Sequence, residues 1–60
     1  MEELKRLRLS KELSQQQLAD KVGVTRANIS GIELGKSHPS VSLAKKIASI
    51  LECDWTIFFS

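Results

Sequence analysis

The chain has 60 residues, of which 42% are hydrophobic and 27% are charged. This length accommodates one small domain, and the composition is too apolar for a disordered tail. No apolar run approaches the roughly 20 residues of a membrane-spanning helix, and the charged residues near the start do not resemble a secretory signal. The net charge of +2 is compatible with nucleic-acid binding but is common among small domains. We expect a cytoplasmic protein with no membrane partner.

The first two predicted elements are helices joined by a short connection. Helical periodicity runs through the chain, and no segment alternates as a β-strand does. A first helix is predicted over about residues 2–11. Ser14 is a good N-cap, and Gln17 stands three residues later, as a capping box requires. The box predicts a second helix over about residues 15–22, which Gly23 ends.

Two more capped helices follow. Thr25 is the N-cap of a third helix, over about residues 26–34, which stops at Gly35. Ser40 is the N-cap of a fourth helix, over about residues 41–51. The apolar residues of that helix share one face and are expected to be buried: Val41, Ala44, Ile47, Ala48 and Leu51.

The carboxyl-terminal residues are apolar and predict a last short helical turn that Asp54 caps. Five helices with short connections predict a compact all-α domain over residues 1–60. Some apolar residues near this end are left over for a dimer interface, and closing the small core is the alternative for them. They are Ile50, Trp55, Ile57 and Phe59.

The chain holds one cysteine, Cys53, and one histidine, His38. A single thiol cannot close an intrachain disulfide, and the two side chains are too few soft ligands for a structural zinc. We therefore expect no metal and no cofactor. Cys53 is interpreted as a small core residue, and a redox switch is the alternative. Neither residue has an evident base or orienting partner, and no phosphate-binding glycine loop is present, so we do not expect an enzyme.

Residues 15–34 have the spacing of a helix-turn-helix. Ala19 is small enough to let the two helices cross closely, and Gly23 supplies the positive φ of a sharp corner. Ile29 and Ile32 hold the following helix by one narrow face. The other face is then free to enter a DNA major groove.

Several segments together carry a recognisable pattern: residues 4–8, 13–19, 22–24, 29–36, 39–40 and 43–48. The most specific mark is Ile-Glu-Leu-Gly-Lys over residues 32–36, followed by Pro-Ser. This pattern resembles the XRE-type helix-turn-helix family of phage repressors, Cro proteins and bacterial regulators. The resemblance implies a five-helix, lambda-repressor-like DNA-binding domain of a transcriptional regulator. It also implies a homodimer on a palindromic operator, most often as a repressor, in a bacterial cell or on a phage or plasmid.

The family reads bases from the first, second and sixth positions of its third helix, which correspond to Arg26, Ala27 and Gly31. Arg26 could grip guanine O6 and N7, and Ala27 could pack on a thymine methyl. Gly31 has no side chain, so either its backbone approaches DNA closely or that contact is absent. Asn28 and Ser30 are the substitute readers. Ala27, Ser30, Gly31 and Leu34 are all expected to point outward. The alternative interpretation of this outward face is that it is only solvated and contacts no DNA.

Phosphate contacts are expected on both sides of this helix. Gln15 stands at the positive amino end of the second helix, where side chain and amide can meet a phosphate. The loop after the third helix lies on the far side of the groove. The candidates are Gln15, Gln16, Thr25, Lys36, His38 and Ser40. Solvated polar residues are the alternative, above all for His38.

The resemblance also implies an ion pair between Arg8 and Glu33 that holds the first helix against the third.

Two classes of function remain open for the chain. A DNA-binding regulator should bind a palindromic duplex with a steep salt dependence. A protein-interaction module, such as an antitoxin or adaptor, should bind a protein without DNA, and a regulatory protein partner is compatible with either class.

Overall fold

The structure is a computed structural model that describes residues 1–59. Ser60, the last residue of the predicted domain, lies outside the described residues. Four α-helices and one 3-10 helix follow one another along the chain: α1 (Glu2–Ser10), α2 (Gln15–Val22), α3 (Arg26–Glu33), α4 (Val41–Leu51) and the 3-10 helix (Trp55–Phe59). The predicted all-α fold is confirmed, with the fifth element a 3-10 helix. None of the helices described over residues 1–59 is long and apolar enough to cross a membrane.

The predicted N-caps fix where three of the helices begin. Ser14 Oγ accepts from the Gln17 amide at 3.0 Å, and Gln17 Oε1 accepts from the Ser14 amide at 2.8 Å, so the capping box is complete. Thr25 and Ser40 each accept from the amide three residues later, at 3.2 and 3.1 Å. Each such cap stabilises its helix by roughly 1 kcal/mol.

The helices end with residues in the left-handed region. Gly23 and Gly35 both have φ of +77°, while Glu12 and Glu52 adopt φ of +57° and +58°. A residue with a Cβ costs about 1–2 kcal/mol in this conformation. Sequence analysis gave no sign that Glu12 would adopt it. At Glu52 the side chain also reaches Lys11, whose Nζ lies 2.7 Å from Oε2.

The core lies between the apolar faces of all five elements. Its buried members are Leu4, Leu18, Ala19, Val22, Ile29, Ile32, Ala44, Ile47, Leu51 and Phe58. The prediction that Val41 belongs to the buried face of α4 is wrong, because Val41 is 48% exposed. In the first turn of α4, Leu43 packs against the core instead. The other four predicted residues of that face are buried.

Candidate nucleic-acid interface

The second and third helices form the predicted helix-turn-helix. Ala19 is completely buried, which allows close packing of α3 on α2. Gly23 turns the chain, and the Val24 amide donates to the Ala19 carbonyl at 3.0 Å. Ile29 and Ile32 are 0% and 2% exposed and anchor α3. Because these isoleucines occupy one side of the helix, the opposite side faces away from the core.

The amino-terminal turn of α3 is its most accessible part. Arg26, Ala27 and Asn28 are exposed, and Ser30 is half-buried. Thr25 caps this turn, so its amide groups point toward the amino end of the helix. The exposed members of the predicted base-reading set therefore cluster where the helix begins.

Gly31 does not face freely outward as predicted. It is half-buried, and a Cβ added to it would lie 2.9 Å from Ser37 Oγ. The Gly31 carbonyl accepts from the amides of Lys36 at 2.9 Å and Ser37 at 3.3 Å. Together with Gly35, whose amide donates to Ile32, these bonds form a Schellman motif that folds the loop back over the helix. The absence of a side chain at 31 is thus explained by the loop.

The ion pair between Arg8 and Glu33 is present and buried. Arg8 Nε donates to Glu33 Oε2 at 2.7 Å, and both side chains are less than a tenth exposed, at 7% and 6%. Arg8 Nη1 also donates to the Leu13 carbonyl at 2.7 Å. Burial alone would raise the pKa of Glu33, but hydrogen bonds from Arg8 and Gln15 outweigh burial and hold this pKa below its ordinary value. Glu33 is therefore a structural anion that ties α3 to α1.

Gln15 extends this polar network to the exposed end of α3. Its Nε2 donates to Glu33 Oε1 at 3.1 Å, and its Oε1 accepts from Arg26 Nε at 3.4 Å, a long hydrogen bond. A continuous chain of side chains thus runs from Arg8 through Glu33 and Gln15 to Arg26. Sequence analysis missed the Gln15–Glu33 contact because 18 residues separate the partners.

The other predicted phosphate-binding residues lie on the surface, on both flanks of α3. Gln16, Thr25, Lys36, His38 and Ser40 are all exposed. Several of their side chains already have local partners: Gln16 Nε2 donates to Asp20 at 2.9 Å, and the hydroxyls of Thr25 and Ser40 cap helices. Pro39 is buried, which holds the loop between α3 and α4 against the domain.

The candidate dimer residues, called the carboxyl-terminal patch below, are partly exposed. Ile50, Trp55 and Ile57 are half-buried against the core, and Phe59 is 48% exposed. The Trp55 and Phe59 rings meet edge to face, with centroids 5.9 Å apart. Lys45 Nζ lies 5.1 Å from the Trp55 ring centroid, a cation–π contact that sequence analysis did not predict.

Cys53 is half-buried beside the core, as its interpretation as a small core residue requires. Burial raises the pKa of its thiol, and the nearby carboxylates of Glu3 and Asp54 add to the effect. A raised pKa lowers the fraction of the thiol present as thiolate, which is the nucleophilic form. Within residues 1–59, no group of three His, Cys, Asp or Glu side chains is placed to hold a metal ion.

Comparison with known proteins assigns the chain to a family. Residues 4–58 match the family described as "Helix-turn-helix". The chain therefore belongs to the helix-turn-helix (XRE-type) family of DNA-binding transcriptional regulators, which is not an enzyme family. A solved structure is also similar, that of an HTH_3 family transcriptional regulator from Vibrio cholerae. It has a TM-score of 0.76 and 43% identity, and the match covers 93% of this chain and 32% of that chain.

Curated relatives carry the same description. The chain is 45% identical to the uncharacterised HTH-type transcriptional regulator YqaF of Bacillus subtilis, over 93% of this chain and 74% of the relative. It is 42% identical to the SPbeta prophage-derived regulator YonR of the same organism, over 83% of this chain. It is 51% identical to the regulator MJ0272 of Methanocaldococcus jannaschii, over 75% of this chain and 68% of the relative. Against YonR, this chain spans 46% of the relative's length.

Proposed function

We propose that residues 1–60 form the DNA-binding domain of a repressor that occupies a palindromic operator as a homodimer, with α3 in the major groove. The observation that carries this proposal is the two-sided character of α3. Ile29 and Ile32 are buried, whereas Arg26, Ala27 and Asn28 are exposed at its first turn. A helix held in this way can enter a groove without losing core contacts. A DNA partner would place the protein in the cytoplasm.

Arg26 is the proposed reader of guanine, through bidentate donation to O6 and N7. Its guanidinium extends from the first turn of α3, where Gln15 Oε1 accepts from Nε. That contact uses Nε and leaves both terminal nitrogens of the guanidinium to donate to a base. Ala27 would pack on a thymine methyl, with Asn28 and Ser30 contributing further base contacts. At Gly31 only the backbone could approach a base, beside Ser37.

Phosphate contacts are proposed on both flanks of the groove. Gln15 and Gln16 begin α2, whose positive end favours an anion. Gln15 retains one amide hydrogen for a phosphate after donating to Glu33. On the other flank, the exposed residues after α3 supply donors and charge, together with the exposed Thr25 at the turn: Lys36, His38 and Ser40. The charge of Lys36 predicts an affinity that falls with salt concentration.

The dimensions of the domain favour a dimer. Its longest extent is 24 Å, and successive major grooves on one face of DNA are about 34 Å apart. One copy therefore reaches one half-site, and two copies are needed for a palindrome. The carboxyl-terminal patch of Ile50, Trp55, Ile57 and Phe59 is the proposed contact between copies, because Phe59 leaves aromatic surface in water.

The test is selection of bound duplexes from a random pool, followed by affinity measurements at several salt concentrations. We expect a palindromic consensus with half-sites one helical turn apart. Sedimentation of the complex should show two chains per duplex. Binding of all sequences with equal affinity would contradict sequence-specific regulation, and a consensus without symmetry would contradict the dimer. If the protein represses by occupying the operator, a reporter gene whose promoter overlaps the consensus should be expressed less when the protein is present.

A protein-interaction module is the second candidate, and one observation favours it. Leu34, at the end of α3, is 66% exposed, so its apolar side chain is available to a protein partner. An antitoxin or adaptor would bind its partner in the absence of DNA. A regulatory protein that competes with DNA for α3 would combine the two activities. A pull-down of the partner with and without the selected duplex distinguishes a module that binds only a protein from a regulator whose partner competes with DNA.

A further inference from the structure

The outward face of α3 has an apolar centre line. With about 100° per residue, Ala27 and Leu34 lie within about 20° of each other around the helix axis, opposite Ile29 and Ile32. Leu34 is the C-cap of α3 and keeps right-handed dihedral angles, φ −82° and ψ −5°, so its Cβ still follows the spiral of the helix. It is 66% exposed, the largest exposed fraction among the large hydrophobic residues of the described chain.

Leu34 belongs neither to the core nor to the partly buried residues packed against it. Gly35, with φ of +77°, ends the helix, and the loop amides bond to Gly31 rather than to Leu34. Leucine in water at this exposure contributes little to packing. Gly31 and Ser30 flank the centre line at about equal angles: Gly31 has no side chain and lies beside Ser37, and Ser30 is half-buried. The middle and end of the face therefore present few hydrogen-bonding groups, in contrast to its start at Arg26.

The chemistry of the major groove offers one apolar partner for such a line. Thymine presents its C5-methyl group there, while the other groups at the base edges are donors and acceptors. Ala27 and Leu34 are seven residues apart, about 10.5 Å along a helix. That distance corresponds to about three base-pair steps of 3.4 Å. Two methyl groups on nearby pyrimidines could therefore contact both residues.

We propose that Leu34 is a specificity-determining residue that, with Ala27, reads the C5-methyl groups of two pyrimidines about three base pairs apart in each half-site. The inference rests on the proposed function, because it requires α3 in the major groove. It adds a reader at the carboxyl end of α3. It also identifies the feature read there as a methyl group rather than a hydrogen-bond pattern.

The test uses the full chain and the selected duplex, with each thymine replaced in turn by deoxyuridine, which lacks only the methyl group. Wild-type protein should lose about 4-fold in affinity at two positions per half-site, which corresponds to about 0.8 kcal/mol for one buried methyl group. Leu34→Ala should lose the deoxyuridine effect at one of these positions and keep it at the other. A duplex with 5-methylcytosine at the base that Leu34 contacts should bind the protein more tightly than a duplex with cytosine there.

Leu9→Ala is the matched control, because Leu9 is a 54% exposed leucine on α1. This variant should show the wild-type response at both thymines. If deoxyuridine has no effect while the palindrome is still bound, the inference is wrong and the proposed function stands. If Leu34→Ala weakens every duplex equally, Leu34 contacts the sugar–phosphate backbone and the inference is wrong. The inference is also wrong if Leu34→Ala no longer binds a protein partner but binds DNA as the wild type does. If the wild-type protein binds no specific duplex, the proposed function is wrong as well.

Discussion

Gln15 donates from its amide nitrogen to Oε1 of Glu33 at 3.1 Å. Because Glu33 is a carboxylate and accepts only, this contact fixes which end of the Gln15 amide points inward. The oxygen must then point toward the exposed end of α3, where it accepts from Arg26. A buried anion thus determines which hydrogen-bonding group stands beside the proposed guanine reader.

Gln15→Met should impair the positioning of Arg26. Methionine keeps the size of glutamine but can neither donate to Glu33 nor accept from Arg26. We expect a coupling energy of about 0.5–1.5 kcal/mol between positions 15 and 26 in a double-mutant cycle with Arg26→Ala. The readout is discrimination between guanine and adenine at the base pair that Arg26 contacts. Gln16→Met is the control, since Gln16 bonds to Asp20 instead; additive effects at 15 and 26 would refute the coupling.

Arg8→Met should destabilise the domain by about 3–5 kcal/mol, because it leaves the buried Glu33 carboxylate without its cation. The measurement is urea unfolding followed by circular dichroism. The double variant Arg8→Met/Glu33→Leu should be more stable than Arg8→Met, because the unpaired charge is gone. Lys11→Met removes an exposed ion pair and should leave the unfolding midpoint nearly unchanged. Equal losses in the single and double variants would mean that charge burial is not the cause.

Stability should fall on acidification, and Glu33 should account for part of the fall. Its pKa is below the ordinary value of 4.5 in the folded chain, so the unfolded chain binds the proton first as the pH decreases. The contribution of Glu33 is complete above about pH 5 and is lost as the pH falls through the folded pKa. Glu33→Gln should therefore show a weaker pH dependence in urea unfolding between about pH 5 and 3.

Some slope should remain in that variant. The pKa of Glu52 is lowered by its hydrogen bond and charge contact with Lys11, and that of Asp54 by hydrogen bonds with Thr56. An unchanged slope in Glu33→Gln would show that Glu33 titrates alike in the folded and unfolded chains.

Gly31→Ala tests the explanation of the glycine by Ser37. Alanine is about 1 kcal/mol more favourable than glycine within a helix, but its Cβ would lie 2.9 Å from Ser37 Oγ. We expect Gly31→Ala to gain less than this amount, and the full gain to appear when Ser37→Ala is the background. Thermal unfolding of the wild type, the two single variants and the double variant measures the gain with and without the Ser37 hydroxyl. Gly35→Ala, at φ of +77°, should be destabilising. A full gain without the Ser37 substitution would show that the contact costs nothing.

Sequence predicted the helices well because their boundaries are set locally. Ser14, Thr25 and Ser40 cap the helices that follow them, and each bond spans three residues. The buried faces followed from periodicity, except at Val41. There the periodicity is correct, but the first turn of α4 packs through Leu43, which depends on where the helix lies against its neighbours.

The candidate site was less accessible to prediction from sequence. The contacts of Gln15 with Glu33 and Arg26 join two helices, and Ser37 reaches Gly31 only because the loop turns back at Gly35. These contacts depend on tertiary packing or on the path of a loop, which periodicity does not specify. The family resemblance predicted the Arg8–Glu33 pair. No local sequence pattern predicted that the polar network continues from this pair to Arg26.

The packing of Trp55 has a practical consequence. It is the single tryptophan of the sequence, and its ring contacts both the ammonium of Lys45 and the ring of Phe59. Intrinsic fluorescence therefore comes from one chromophore, placed in the carboxyl-terminal patch proposed for self-association. Dilution that separates two copies should shift its emission to longer wavelength as solvent reaches the indole, so that assembly and melting can be followed in unlabelled protein.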